Sequence, residues 1–162
     1  MAVLQDDIGA GIVTIMKLAA FDTWLPNDRV AYGTMWRDTG DLGKYGRALV
    51  RALVANAVEG ANYDTSQQVD FEYEILFEYE ALEDTAALST GFQNVMRQKF
   101  GDGGRILEVG ITDSTSKWIG DSMVVTLGDW ELEEALENEN PAMPDRMRLR
   151  VPLTVRVWQS LA

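Results

Sequence analysis

Between residues 67 and 81 the side chains alternate in kind. Val69, Phe71, Tyr73, Ile75, Phe77 and Tyr79 take the odd positions. Asp70, Glu72, Glu74, Glu78 and Glu80 take even ones, with Leu76 the interruption. Successive side chains of a strand point to opposite faces, so this pattern predicts an extended strand with one apolar and one acidic face. The run is longer than a usual strand, and is expected to bend or to project beyond the body of the fold. A second run mirrors it at 146 to 158. Met147, Leu149, Val151, Leu153, Val155 and Val157 are odd, while Arg146, Arg148, Arg150 and Arg156 are even. Pro152, Thr154 and Trp158 fill the remaining even places. Proline cannot donate to a ladder, which predicts an edge strand or a bulge at Pro152.

Two such strands must bury their apolar faces against another layer. Leu4, Ile8, Ile12, Ile15, Met16 and Ala19 fall at helical spacing and predict a helix over 3–20. Leu42, Tyr45, Leu49, Leu53 and Ala57, widened by Val50, Val54 and Val58, predict a second over 42–59. Asp41 would be its N-cap and Gly60 its stop. Leu88, Phe92, Val95 and Met96 predict a third over 84–99, with a loop over 81–92 as the alternative. Short strands are expected at 29–37, 105–112 and 122–127. The acidic segment 129–140 reads as a short helix or a loop, ended by Pro141 and Pro144. The fold class expected is α+β: a mixed or antiparallel sheet packed by two to three helices, with long projecting strands. A length of 162 residues suits one domain, and 46% hydrophobic residues suffice for a core.

The residue inventory removes whole classes of chemistry. There is no histidine and no cysteine. Disulfides, the Cys and His ligands of zinc, and His- or Cys-dependent catalysis are therefore excluded. Carboxylates are plentiful, but general acid–base work needs two acids in different environments across a cleft. A uniform row along a strand does not supply them. The spaced ligands and glycine of a calcium-binding helix–loop–helix are missing. Gly9-Ala10-Gly11 and Gly101-Asp102-Gly103-Gly104 lack the strand–loop–helix setting of a phosphate loop. No catalytic residue, cofactor site or metal site is expected. The net charge of −12 and pI near 4.3 disfavour nucleic acid and anionic lipid as partners. No apolar run is long enough to span a bilayer, and Asp6 and Asp7 near the start do not suit a secretory signal.

The charges are segregated along the chain. From Ala52 through Met96 there is no lysine or arginine, while Glu59, Asp64, Glu83 and Asp84 join the acids of the 67–81 run. Three arrangements are open. The rows can be solvated outer faces. They can pair across a ladder within one chain, each pair contributing about 0.2–1 kcal/mol. Or they can meet between copies, a heterologous contact that generates rings or filaments and whose complementary charge sets register. In that third arrangement Asp70, Glu72, Glu74, Glu78 and Glu80 of one copy face Arg146, Arg148, Arg150 and Arg156 of the next. Trp158, on the basic face, is then an interface residue. The five tryptophans (Trp24, Trp36, Trp118, Trp130 and Trp158) are expected in the core or at an interface, with a sugar-stacking surface as the alternative.

The order of elements resembles the tail-terminator and head–tail joining (neck) proteins of tailed bacteriophages. The likeness lies in the N-terminal helix Val3 to Ala20, the small mixed body, the long strand 67–81 and the closing strand Met147 to Trp158. The helical segment 84–99 and the acidic stretch 129–140 are additions to a smaller terminator. The resemblance implies a structural virion protein and not an enzyme. It implies a homo-oligomeric ring, commonly a hexamer, that partners neighbouring neck or tail tube proteins. It also implies manufacture in the host cytoplasm, no membrane contact, and a lumen through which DNA passes without specific binding. An acidic lining would suit that passage. The alternatives are a tail tube or capsid decoration subunit, or a carbohydrate- or protein-binding module.

Overall fold

Both alternating runs are strands over their whole length and lie side by side. In the computed structural model, β3 (Ser66–Glu80) and β6 (Arg146–Ser160) pair antiparallel, in one unbroken register from Ser66↔Ser160 to Glu80↔Arg146. The structure describes residues 4–34, 42–63, 66–82, 85–100, 124–136 and 145–160. The other elements are α1 (Leu4–Met16), β1 (Val30–Tyr32), β2 (Arg47–Tyr63), α2 (Leu88–Phe100), β4 (Val124–Leu127) and β5 (Glu131–Leu136). Single 3-10 turns occur at Ala19–Phe21 and Asn27–Arg29. The strand order is β1-β2-β3-β6-β4, with β5 on β6 beside β4. Only β1 and β2 run parallel, so the six-stranded sheet is mixed and the fold is α+β.

The odd residues of β3 and β6 form one wall of the core. Ala48 and Val50 of β2 extend it, and α1 closes it with Ile8, Ile12, Ile15 and Met16. On α2, Leu88, Phe92, Val95, Met96 and Phe100 do the same. Phe77 stacks on Phe92 with ring centroids 4.0 Å apart and planes within 7°. Trp130 meets Phe92 edge-on. Burial first, and then the electrostatic influence of Tyr32, Asp6 and Asp7, push the Tyr73 hydroxyl well above the usual phenol value. It stays a donor, to the Gln5 carbonyl of α1.

The approach of α2 to the chain before β1 depends on a glycine. A Cβ at Gly91 would lie 2.5 Å from carbons of the Trp24 ring. Alanine is the better helix former by about 1 kcal/mol, so propensity and packing oppose each other here. Overpacking costs about 1–3 kcal/mol, and Gly91→Ala is expected to destabilise on balance. A rise in the urea midpoint of this variant would show that Trp24 yields freely.

Three expectations are corrected. The segment 42–59 is not a helix: β2 occupies Arg47–Tyr63. Ala48, Leu49 and Val50 are all buried because this part of β2 lies between β1 and β3 with both faces covered. A strand buried on both faces loses its alternation, and an apolar run then satisfies helical spacing by default. The β-branched Val50, Val54 and Val58 favoured the strand. Gly60 stops no helix. It holds a φ of +75° where β2 runs out of register between Ala57 and Asn62. The segment 129–140 is neither helix nor loop over Glu131–Leu136, which is β5. Pro152 does not mark an outer edge, since β6 has neighbours on both sides. Its carbonyl accepts from the Gly128 amide at 2.8 Å, which turns its nitrogen away from β3, into the gap between β4 and β5. No β3–β6 hydrogen bond is forfeited.

The remaining elements agree in kind. α1 ends at Met16 and gives way to a 3-10 turn, α2 covers most of the predicted third helix, and β4 falls inside 122–127. Of the strand expected at 29–37, the described part forms β1 and ends at Gly33, with a φ of +143°, while residues 35–37 lie outside the described residues. The strand expected at 105–112 lies outside the described residues.

Candidate functional site

With the odd residues of β3 and β6 committed to the core, their even residues share the opposite face. The register sets Asp70 against Arg156, Glu78 against Arg148 and Glu80 against Arg146, all within one chain. β2 brings Arg47 opposite Glu78 and Arg51 opposite Glu74. β5 brings Glu131 opposite Arg150 and Glu133 opposite Arg148. The result is a band of alternating charge across β2, β3, β6 and β5.

Glu78 is the hub of the band. Its Oε1 takes Nη2 of Arg47 at 2.7 Å and Nη1 of Arg146 at 3.0 Å, and its Oε2 takes Nη2 of Arg148 at 3.1 Å. It is only 3% exposed. Burial pushes its carboxyl up, but the hydrogen bond and charge of Arg47, then those of Arg148, pull it further down. The net position is below the ordinary glutamate value. Glu74, also buried, is held by Arg51 and Arg150. Outside this inner row, Arg148 reaches Glu133 at 3.5 Å and Arg150 reaches Glu131 at 4.0 Å. Asp70 receives Arg156 in a two-pronged contact of 2.7 and 2.9 Å. Glu80 is buried and accepts the Leu42 amide at 3.1 Å. Between the charges, Leu49 and Leu76 face each other and are buried.

This geometry bears on every residue singled out above. Asp70, Glu74 and Glu78 meet Arg146, Arg148, Arg150 and Arg156 inside the chain. The repulsion within each row of like charge is thus already relieved inside the chain. Glu80 lies opposite Arg146, yet its carboxylate accepts the Leu42 backbone amide. Glu72 lies opposite Thr154. Trp158 is in register with Gln68, and its side chain lies outside the description. Four participants were missed: Arg47, Arg51, Glu131 and Glu133. The signal for the first two was present, since Arg47, Leu49 and Arg51 alternate with Ala48 and Val50.

The chemistry open to this face is narrow. A groove of about 390 Å³ lies along it, lined by Leu53, Glu74, Gly128, Asp129, Glu131, Arg150 and Pro152. Its buried acid, Glu74, has both carboxylate oxygens engaged, one by Arg51 and one by Arg150. Among the described residues no cluster of three metal-ligating side chains occurs, and no helix is long and apolar enough to cross a membrane. Trp24 packs against Gly91 and, with Tyr45, also lines a second groove of about 460 Å³, while Trp130 packs against Phe92.

No family model matches the sequence, and a search of curated proteins finds no match. Among solved structures, a chain of the virion of a native gene transfer agent particle is similar in path, with 11% identity and a TM-score of 0.49. That likeness covers 96% of this chain and 94% of the other. A second solved chain, at 9% identity and a TM-score of 0.48, is covered to 96%, as is this one. At these values the likeness is one of path alone and carries no statement of role.

Proposed function

We propose that this chain is a structural subunit of a tailed-phage-type virion, assembling with its own copies into a ring at the neck or tail end. In this reading it joins tail to head, touches neighbouring neck or tail tube proteins, and lets DNA pass. Six copies is the number the family resemblance implies. The role is structural and not catalytic: of the buried carboxylates of the charged face, Glu74 and Glu78 are held by arginines and Glu80 by the Leu42 amide.

The observation that carries the reading is the length of the sheet relative to its helical cover. β2 spans 17 residues and β3 and β6 span 15 each, against a usual strand of about 5–6. The distal part of β2 is exposed on both faces from Leu53 to Ala57. Long strands that outrun their own core are costly in a monomer and useful in an assembly. The ion-pair band stiffens the sheet from which they extend.

Light scattering and negative-stain imaging of the purified chain test the reading. Closed rings with a central opening are the expected result. Open-ended tubes would favour a tube subunit instead. A chain that stays monomeric across a wide range of concentration and salt, and forms no ring, would overturn the proposal.

A further inference from the structure

The geometry points to the free edge of β2, over residues 52 to 57, as the place where a second copy of this chain adds a strand. β1 pairs with β2 only from Ala48 to Val50. Beyond that, among the described residues, β2 has β3 as its one neighbour. The Gly33 amide donates to the Val50 carbonyl at 3.0 Å, so Val50 turns its backbone groups toward the β1 side. Alternation brings Ala52 to the same edge. The register then passes from Ala52↔Tyr73 to Ala55↔Phe71 and Ala57↔Val69. Tyr73, Phe71 and Val69 share one side of the β3 ladder. Ala55 and Ala57 therefore also direct N–H and C=O away from β3. The bulge at this shift sets Leu53 and Val54 together opposite Glu72, and they are 46% and 47% exposed.

Such an edge is a template for another strand, and proteins usually guard it with lysine, proline or an inward charge. Residues 52 to 58 read Ala-Leu-Val-Ala-Asn-Ala-Val and hold none of these side chains, the bulge at Leu53 and Val54 being the one irregularity in the strip. Charge argues that the occupant is a second copy. At −12 per chain, two copies repel over most of their surfaces. This neutral strip is a place where they can touch without bringing carboxylates together. A basic partner would instead be drawn to the acidic surface around it. The small side chains of Ala52, Ala55 and Ala57 leave room for the incoming backbone. The inference rests on the self-assembly reading above, and it locates the seam on β2 and not on the charged band.

Salt separates the two seams. Light scattering of the full chain at about 0.05 M and 0.5 M salt should show stronger assembly at the higher value, because screening relieves repulsion between like copies. A seam of acidic on basic rows would weaken instead. The double variant L53E/V54E, at exposed positions, should weaken assembly about 100-fold or abolish it. Its unfolding midpoint should stay near that of the natural chain. Ala55→Pro removes one outward N–H and should act alike. If that variant does not fold, the double variant decides. The amides of Ala52, Ala55 and Ala57 should exchange slowly in the assembly and fast in dilute protein. An assembly that dissolves in salt, or that both folded variants leave intact, overturns the β2 seam while self-assembly stands. A chain monomeric under every condition overturns both.

Discussion

Replacing Glu78 with glutamine should lower the unfolding free energy by about 3–5 kcal/mol, the range for breaking a buried ion pair by removing one partner. The carboxylate is shared by Arg47, Arg146 and Arg148. Glutamine keeps the shape and one acceptor, but removes the negative charge that three guanidiniums share in a partly buried site. Two controls locate the effect. Asp70→Asn breaks a pair whose Arg156 side chain is 43% exposed, and should cost no more than about 1 kcal/mol. Glu72→Gln, opposite Thr154, should fall within about 0.5 kcal/mol of the natural chain. Urea unfolding at unchanged slope measures all three.

The same substitution has a pH signature. The folded carboxyl of Glu78 lies below its ordinary value, whereas the unfolded glutamate titrates near about 4.3. The unfolded chain therefore binds this proton more tightly. The contribution of Glu78 is complete above the unfolded value and is lost as pH falls through the folded one. The stability gap between the natural chain and Glu78→Gln should narrow as pH drops from about 6 to about 3. Parallel stability curves across that window would show that Glu78 does not hold its proton in the way its partners require.

The second large effect is expected at Phe92. The ring is fully buried and lies against Phe77 of β3, Phe21 of the turn after α1, and Trp130 just before β5. Phe92→Ala should cost about 3–5 kcal/mol, from lost burial and the cavity left behind. Phe92→Leu, which keeps most of the volume, should cost under about 1.5 kcal/mol if the neighbours repack. Tryptophan fluorescence reports the change directly, because Trp130 meets the ring edge-on. An alanine variant within 1 kcal/mol of the natural chain would mean that α2 is held to the sheet by other contacts.

Legibility differed sharply among the strands. β3 and β6 were readable residue by residue, because one face of each is apolar and the other charged. β2 was not, because its first half is covered on both sides and its apolar residues lose their period. Glu131 and Glu133 looked like members of a short acidic helix or loop until β6 gave them arginines to face. α1 and α2 were readable from apolar stripes that keep helical spacing over three turns or more, although a loop over 81–92 stayed open for the start of α2, which begins at Leu88.

The candidate site was half legible for a related reason. Its acids on β3 and its arginines on β6 were all visible as rows of like charge. Period two decides which face of a strand a side chain occupies, and it carries no information about which strand lies beside it. Tertiary structure alone made β6 the neighbour of β3 in the same chain, drew Arg47 and Arg51 into the band, and left the edge of β2 beyond Val50 without a neighbour among the described residues. The sequence by itself determined two oppositely charged amphipathic strands and a chemistry without histidine or cysteine. Pairing within the chain was decided by register, because a ladder of backbone hydrogen bonds fixes neighbours that side-chain pattern leaves free.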